Sequence, residues 1–420
     1  MRRTTHRFRI AAAVAATALA AVGLSACASG SGGDGGNVTL QYGIWDPVQQ
    51  PAMEKIIAAF EKKNPDIDVK IQVTPFAQYW TKLQTAATGG SAPDVFWMNG
   101  PNIKLYASNG MLAPLDDVDA ANYSKGLVDI YTYDGKLYGA PKDFDTIGVW
   151  YNKKLFDAAG VAYPKAGWTW DDYLADAKAL TNKSAGVWGS AAALNDQQNY
   201  YNTIPQAGGY VISKDGKTSG YDDPASLKGI EFWTNQIKDG VSPTQQQMTD
   251  TSPEDAFVSG KIAMYWSGSW SANKFGQDAA TKDLVNVAAL PAGPEGNQSV
   301  VHGLANVANA KSAHLDAAKK FAEFASGKEA ADIQAEAGAV IPAYNGTQQT
   351  WVDSMPKFDL KIFTDGLKTA VPYPASKNTA AWTTIQDQTL SQVWALSVSP
   401  EDGLKTLATK MQAALDKENK

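Results

Sequence analysis

The sequence predicts an α/β fold in two lobes, with the chain passing between them three times. Three observations carry this. Residues 38–97 alternate strand-period and helix-period segments, the order of a parallel α/β unit. The stretch Gly139-Ala-Pro-Lys-Asp-Phe-Asp-Thr-Ile-Gly-Val-Trp-Tyr-Asn152 then reads as an extended segment running out of one compact body into another. The chain has 420 residues, of which 44% are hydrophobic and 10% aromatic, enough for two or three domain cores.

Taken in order, Val38-Thr-Leu-Gln-Tyr-Gly-Ile-Trp45 is the first strand. Pro51 suits a helix first turn, Met53, Ile56, Ile57 and Phe60 share one face, and Pro65 ends the helix. Val69, Ile71 and Val73 alternate with polar residues as a second strand, and a helix over residues 79–87 follows. Ala92-Pro-Asp-Val-Phe-Trp-Met-Asn-Gly100 is a short strand entering a Gly/Pro turn. Ligands of parallel sheets bind beyond the carboxyl ends of strands, which here are Trp45-Asp46 and Trp97 to Asn99. Tyr133-Asp-Gly-Lys-Leu-Tyr138 is a hairpin turning on Asp134-Gly135. The first crossing follows it, and Asp145 is expected to look into the cleft between lobes.

Past the crossing, Thr169-Trp-Asp-Asp172 opens a helix with a capping box. A weak strand (186–192), a helix opened by Asp222-Asp-Pro224, and the strand Lys261-Ile-Ala-Met-Tyr-Trp266 come next. Another strand covers 284–291. Val301 to Leu304 is the second crossing, Ala305 to Asn309 a strand, and Ser312 a helix cap. Gly338-Ala-Val-Ile-Pro-Ala343 is the third crossing. The remainder is helical and ends with Leu404, Leu407, Ala408, Met411 and Leu415 on one face. The resulting division is 38–143 plus 304–342 for the first lobe and 147–301 plus 346–420 for the second.

Residues 1–26 stand outside the fold. Arg2, Arg3, Arg7 and Arg9 precede an apolar run, the pattern of an export signal. Leu24-Ser-Ala-Cys27, followed by a Gly/Ser tether to residue 37, resembles a bacterial lipoprotein cleavage site. That resemblance implies lipidation at Cys27 and anchoring to the outer face of the cell membrane, or the periplasm if an outer membrane exists. Cys27 is the single cysteine, which excludes an internal disulfide.

Charge narrows the ligand. Without residues 1–26 there are 33 basic and 43 acidic side chains, a net charge of −10, which argues against nucleic acid as a partner. No Arg remains after Arg9, and Arg is the preferred group for carboxylates and phosphates, so anionic ligands are disfavoured. His302 and His314, without a cysteine beside them, give no metal site of recognisable spacing, and no cofactor is implied.

Several segments together carry a resemblance. They are Ala92-Pro-Asp-Val-Phe-Trp97, Gly135-Lys-Leu-Tyr-Gly-Ala-Pro141, Val149-Trp-Tyr-Asn-Lys153 and Trp168-Thr-Trp170. Ala207-Gly-Gly209, Phe257-Val-Ser-Gly-Lys-Ile-Ala-Met264, Gly268-Ser-Trp270 and Gly338-Ala-Val-Ile-Pro342 continue it. In this order the chain resembles the extracellular solute-binding proteins of sugar ABC importers, the family of maltose-binding protein. The resemblance spans residues 38–420. It implies two Rossmann-like α/β lobes joined by three hinge crossovers, periplasmic-binding-protein-like and of type II. It further implies a monomeric, non-catalytic receptor that hands a neutral mono- or oligosaccharide to ABC permease subunits. By position, Trp270 and Trp382 resemble aromatic sugar platforms and Asp145 the central sugar-binding carboxylate. Asp46 and Asn99 fall where polar contacts from the first lobe are expected. The family can place a charged pair just after the Trp97 strand, whereas this chain has Met98-Asn-Gly-Pro101.

The residue types fit that chemistry. A pyranose ring offers C–H groups to a flat aromatic face and hydroxyls to acceptors at its rim. Trp266 and Trp45 stand at strand ends among 13 Trp, and Asn195 and Asp196 lie in a loop that reaches the cleft from the second lobe. Large aromatics also pack cores, and Asp46 is equally a turn residue before Pro47. Asp143 reads as structural, paired with Lys142 or Lys153, and at most one of Tyr200 and Tyr201 faces ligand. The alternative is a secreted glycoside hydrolase or lyase, a hydrolase needing two carboxyls ~5 Å or ~6.5–9.5 Å apart. Asp143 and Asp145, two apart on a strand, do not exclude it.

Overall fold

In β1 (Val38–Ile44) Leu40, Tyr42 and Ile44 turn inward with strand period, and the computed structural model pairs this strand in parallel with β2 (Ile67–Val73) and β3 (Val95–Asn99). The model describes residues 37–420; the expected export signal and the expected lipidation site at Cys27 lie outside the described residues. The helix Gln50–Lys63 connects β1 to β2 and buries Met53, Ile56, Ile57 and Phe60. A hairpin of β5 (Thr132–Tyr133) and β6 (Lys136–Leu137) follows β4 (Leu112–Ala113). Its turn residues Asp134 and Gly135 both have positive φ, as a two-residue hairpin turn requires.

The crossing comes next. The strand β7 (Ala140–Asp145) lies in the first sheet and β8 (Ile147–Asn152) in a second, with Thr146 between them. The second sheet has the order β11-β8-β10-β9, built with β9 (Trp188–Ser190), β10 (Ile262–Gly268) and β11 (Val285–Ala288). The return is β12 (Val300–Asn309), one continuous strand in place of the expected crossing and separate strand. Leu304 to Ala308 pair with β3, while Val300 and Val301 pair with β14 (Val371–Pro372). The last passage uses β13 (Ile341–Pro342), which lies against Phe144 and Asp143 of β7. Both sheets are mixed, because the strands that pass between them enter antiparallel to their neighbours.

Most sequence-derived elements stand where expected, with three local differences. Residues after β3 form a helix, Gly100–Ser108, instead of a turn, because Asn99 caps it by accepting from the Asn102 amide. Ser312 does not cap a helix; the helix Leu315–Phe324 begins after His314, and the Ser312 hydroxyl donates to Asp94. Residues Asp196–Tyr200 form a π-helical turn, capped by Asn195.

Four apolar clusters stand among the described residues. One, around Phe144, Trp150, Ile341, Trp351 and Phe363, draws on both sheets and on the passages between them. Trp150 packs edge-on against Phe275 and Phe358 at 5.0 and 5.3 Å. A second cluster, on the β8–β11 side, absorbs Trp266 and Trp382, two residues expected at the cleft. Trp266 is mid-strand in β10, all seven of whose residues are buried, and meets Trp233 edge-on at 4.8 Å. Trp382 shares one face of the helix Thr379–Trp394 with Gln386, Leu390 and Val393, all buried, and its indole nitrogen donates to Ser376. Tyr200 and Tyr201 are likewise core residues, bonded to Gln386. Trp382→Ala is therefore expected to cost about 3–5 kcal/mol of folding stability, as truncation of a fully buried Trp does, read by urea unfolding. A surface platform would lose almost nothing.

Candidate functional site

A cavity of about 570 Å³ opens between the sheets. Asp46 and Asn99 reach it from the carboxyl ends of β1 and β3, as the strand order requires. The Asp46 carboxylate accepts from the Val48 amide and the Gln49 side chain, both at 2.9 Å, so it is a turn residue and a wall residue at once. The Asn99 carbonyl is used in the helix cap, accepting from the Asn102 side chain at 2.8 Å. Its amide nitrogen remains as a donor.

Trp45, beside Asp46, lines the same wall. Its ring is held by Tyr79, Trp97 and Phe76 at 4.9, 5.1 and 5.7 Å in edge-to-face contacts. Trp45 is half-buried and Phe76 exposed, so the cluster ends in an aromatic surface at the cavity. Trp97 itself is buried beneath the Lys142 ammonium, 4.6 Å from the ring centroid.

The floor is an ion pair removed from water. Lys142 Nζ lies 2.6 Å from Asp143 and 2.8 Å from the Gln49 carboxamide oxygen. Asp143 accepts in turn from the Leu304 amide on β12. Of the two partners read from sequence for Asp143, Lys142 is the one used.

Asp145 ends β7 and lines the cavity. Gln197 donates to it at 2.7 Å, and His302 Nδ1, directly across the β7–β12 ladder, lies 3.6 Å away. Burial pushes the Asp145 carboxyl above the ordinary carboxylate range, and His302 opposes that shift. Asp196 is also raised by burial, against a hydrogen bond donated by Tyr373. The Tyr373 ring packs on His302 with centroids 5.1 Å apart. Four segments far apart in sequence thus converge on two carboxylates.

Trp270 faces the cavity from the other side, just past the end of β10. Its indole lies back over Gly268, where a Cβ would sit 1.9 Å from the ring. Asn195 lines the cavity as well, its carbonyl used by the Gln198 amide at 2.8 Å. The cavity therefore collects Asp46, Asn99, Asp145, Asn195 and Trp270, and leaves out Trp266 and Trp382 for the packing reason given above. Sequence reading missed His302, Gln197 and Tyr373 as cavity residues. A signal for His302 existed: it stands in the second crossing, and two crossings laid side by side place it opposite Asp145.

The remaining charge is unequal. Lys274 is matched by Glu254 at 3.1 Å and Lys142 by Asp143, so the cavity keeps no unpaired cation from lysine while Asp145 and Asp196 face into it. Such a site offers acceptors to hydroxyl groups, flat rings to C–H faces, and little to an anion.

A sequence profile described as "Bacterial extracellular solute-binding protein" matches residues 46–332. A putative binding protein of Brucella abortus is 30% identical over 284 residues, 65% of this chain and 68% of that one. A galactooligosaccharide-binding protein of Bacillus subtilis is 27% identical over 313 residues, 71% of this chain and 72% of its own. Among solved structures, an ABC substrate-binding protein of Listeria monocytogenes in complex with cycloalternan superposes with a TM-score of 0.84 at 31% identity, covering 90% of this chain and 99% of that chain.

Two outcomes follow from the geometry. Lys142→Met leaves Asp143 charged and buried and is expected to cost about 3–5 kcal/mol in urea unfolding, whereas Lys142→Met with Asp143→Leu recovers most of it. Gly268→Ala drives the Trp270 ring from its seat at a cost of about 1–3 kcal/mol, with a red shift of Trp emission that is absent in a Trp270→Phe background.

Proposed function

Since the chain belongs to the bacterial extracellular solute-binding proteins, we propose that it captures a neutral carbohydrate in the cavity between its sheets and delivers it to an ABC permease. The observation that carries this is the pairing of aromatic walls with buried carboxylate acceptors: Trp45 and Trp270 on one hand, Asp145 and Asp196 on the other. A sugar ring stacked on Trp270 would donate hydroxyls to Asp145, already oriented by Gln197 and His302. Asn99 and Asn195 would supply donors from either side. Ligand contacts on both sides would favour a closed form, the state a permease recognises, by differential affinity for closed over open.

The names of the relatives support the substrate class: a galactooligosaccharide-binding protein is 27% identical over 313 residues, and a structure solved with cycloalternan shares this fold at 31% identity. The absence of Arg after residue 9 and the pairing of the cavity lysines point the same way. Binding without turnover is the reading for the two carboxylates, each held by protein donors. A lipid on Cys27 would keep the receptor at the membrane surface, and its action as a monomer belongs to the same proposal.

The test is thermal melting of residues 28–420 against neutral mono- and oligosaccharides. A bound sugar at 100 times its Kd is expected to stabilise by about 2.7 kcal/mol, and Asp145→Ala or Trp270→Ala to abolish the rise. Consumption of the sugar during the melt would instead make the protein a hydrolase. Affinity should also fall on acidification. Hydroxyl donors prefer the ionised carboxylate, so binding is full above the raised Asp145 value. It is lost as pH falls through that value, at a higher pH than for an ordinary carboxylate. Calorimetry across the acid range checks this, and Asp145→Asn should weaken binding and flatten the profile.

A further inference from the structure

Two segments distant in sequence must meet for the carboxylate cluster to exist, and one buried side chain joins them. The first is the π-helical turn Asp196–Tyr200 with its cap Asn195. Asn195, Asp196, Gln197 and Gln198, four consecutive residues, all line the cavity. A π turn is a rare conformation that persists where surrounding contacts fix it. The second segment is the start of β12, where His302 faces Asp145 and where β14 pairs with Val300 and Val301. Tyr373 hangs on the same strand, its amide donating to the Val301 carbonyl at 3.0 Å.

Asn202 lies between these segments, fully buried in the helix Tyr201–Gln206. Its carboxamide oxygen accepts from the Val300 amide on β12 at 2.8 Å. Its nitrogen donates to the Gln197 carbonyl at 2.7 Å and to the Asn199 carbonyl at 3.2 Å. One planar group therefore grips the backbone of the π turn at one end and the backbone of β12 at the other. Gln197, whose carbonyl is gripped, is the residue whose side chain donates to Asp145. Asp196 beside it accepts from Tyr373. Asn202 is not among the residues that line the cavity, so any effect on a ligand passes through these neighbours.

We infer that Asn202 is a positioning residue for the carboxylate cluster of the cavity: its carboxamide sets Asp196 and Gln197 of the π turn against His302 and Tyr373 of the β12 side. The inference rests on the carbohydrate-receptor reading for its ligand, and on the geometry alone for the placement of the cluster. A side chain that only filled space would need neither a donor nor an acceptor. This one uses both, and each satisfies a buried backbone group.

The experiment uses residues 28–420 and two readouts. In the ligand-free protein, carboxyl NMR follows the titration of Asp145 in the parent and in Asn202→Ala. The groups that face Asp145 are Asp143 on its own strand, His302 from β12 and Gln197 from the π turn. Tyr373 and Asp196 lie beyond His302, and Tyr131 is near as well. His302 and Gln197 hold the carboxyl down against burial, so loosening them moves the titration to higher pH in Asn202→Ala. The second readout is calorimetry with maltotriose, galactotriose and cycloalternan. Whichever of these the parent binds should bind Asn202→Ala about fivefold or more weakly. Adding Gln197→Ala to that variant should cost less than Gln197→Ala costs alone, since both act on one contact. Leu407→Ala, buried in the helix Pro400–Glu418 and outside both segments, controls for lost stability. It should lower the melting temperature while leaving the Asp145 titration unchanged and affinity within about twofold of the parent. Should Asn202→Ala fail to fold, Asn202→Ser is read the same way, and failure of both leaves Asn202 a purely structural residue and overturns the inference. An unmoved Asp145 titration in the folded variant, or affinity losses that multiply, also overturns it and leaves the receptor reading intact. If the parent binds none of the three sugars while the titration moves, the positioning role stands and the receptor reading alone loses its support.

Discussion

The Lys142–Asp143 pair is the contact on which the cleft depends. Both side chains are removed from water, so each charge requires the other. Gln49 ties the pair to the residues after β1, the Trp97 face covers the ammonium, and the Leu304 amide ties the carboxylate to β12. One ion pair thus fixes the end of β1, the first crossing and the return strand in one geometry. Asp145, two residues on, inherits its position from that arrangement.

The ladder between β7 and β12 does the second part of the work. Strands that pass between sheets must satisfy their backbone groups on both sides of the passage, and pairing with one another achieves this. His302 opposite Asp145 is a consequence of that register. A shift of one residue would turn either side chain to the other face of the sheet. The shared apolar cluster around Trp150 and Phe363 packs behind the passages, and Thr146 alone separates β7 from β8.

The cavity walls divide their roles. Aromatic rings are held by other rings on the Trp45 side and by the missing side chain of Gly268 on the Trp270 side. Gln197 and Tyr373 donate to the two carboxylates and orient them, and His302 stands beside Asp145. Positive groups near the cavity are spent on partners within the protein. The proposed selectivity for an uncharged, hydroxyl-rich solute rests on that division more than on any single residue.

Local signals were legible in the sequence because they depend on neighbours a few positions away. The capping box at Thr169, the Asp134-Gly135 turn, the helical face of the last segment and the strand ends at Asp46 and Asn99 are of this kind. Composition likewise sufficed to disfavour an anionic ligand, and segment order sufficed to indicate the family. What the sequence could not decide was which Trp meets the cavity. Trp266, Trp270 and Trp382 are alike in type, and two of them are buried by helices arriving from residues 170–240 and 380–415. Nor could it bring together Asp145, Asp196, His302 and Tyr373, since their meeting rests on the register of β12 against β7 and on the packing of Tyr373 over it. Periodicity determines which face of an element is apolar; only the packed tertiary structure decides whether that face is covered.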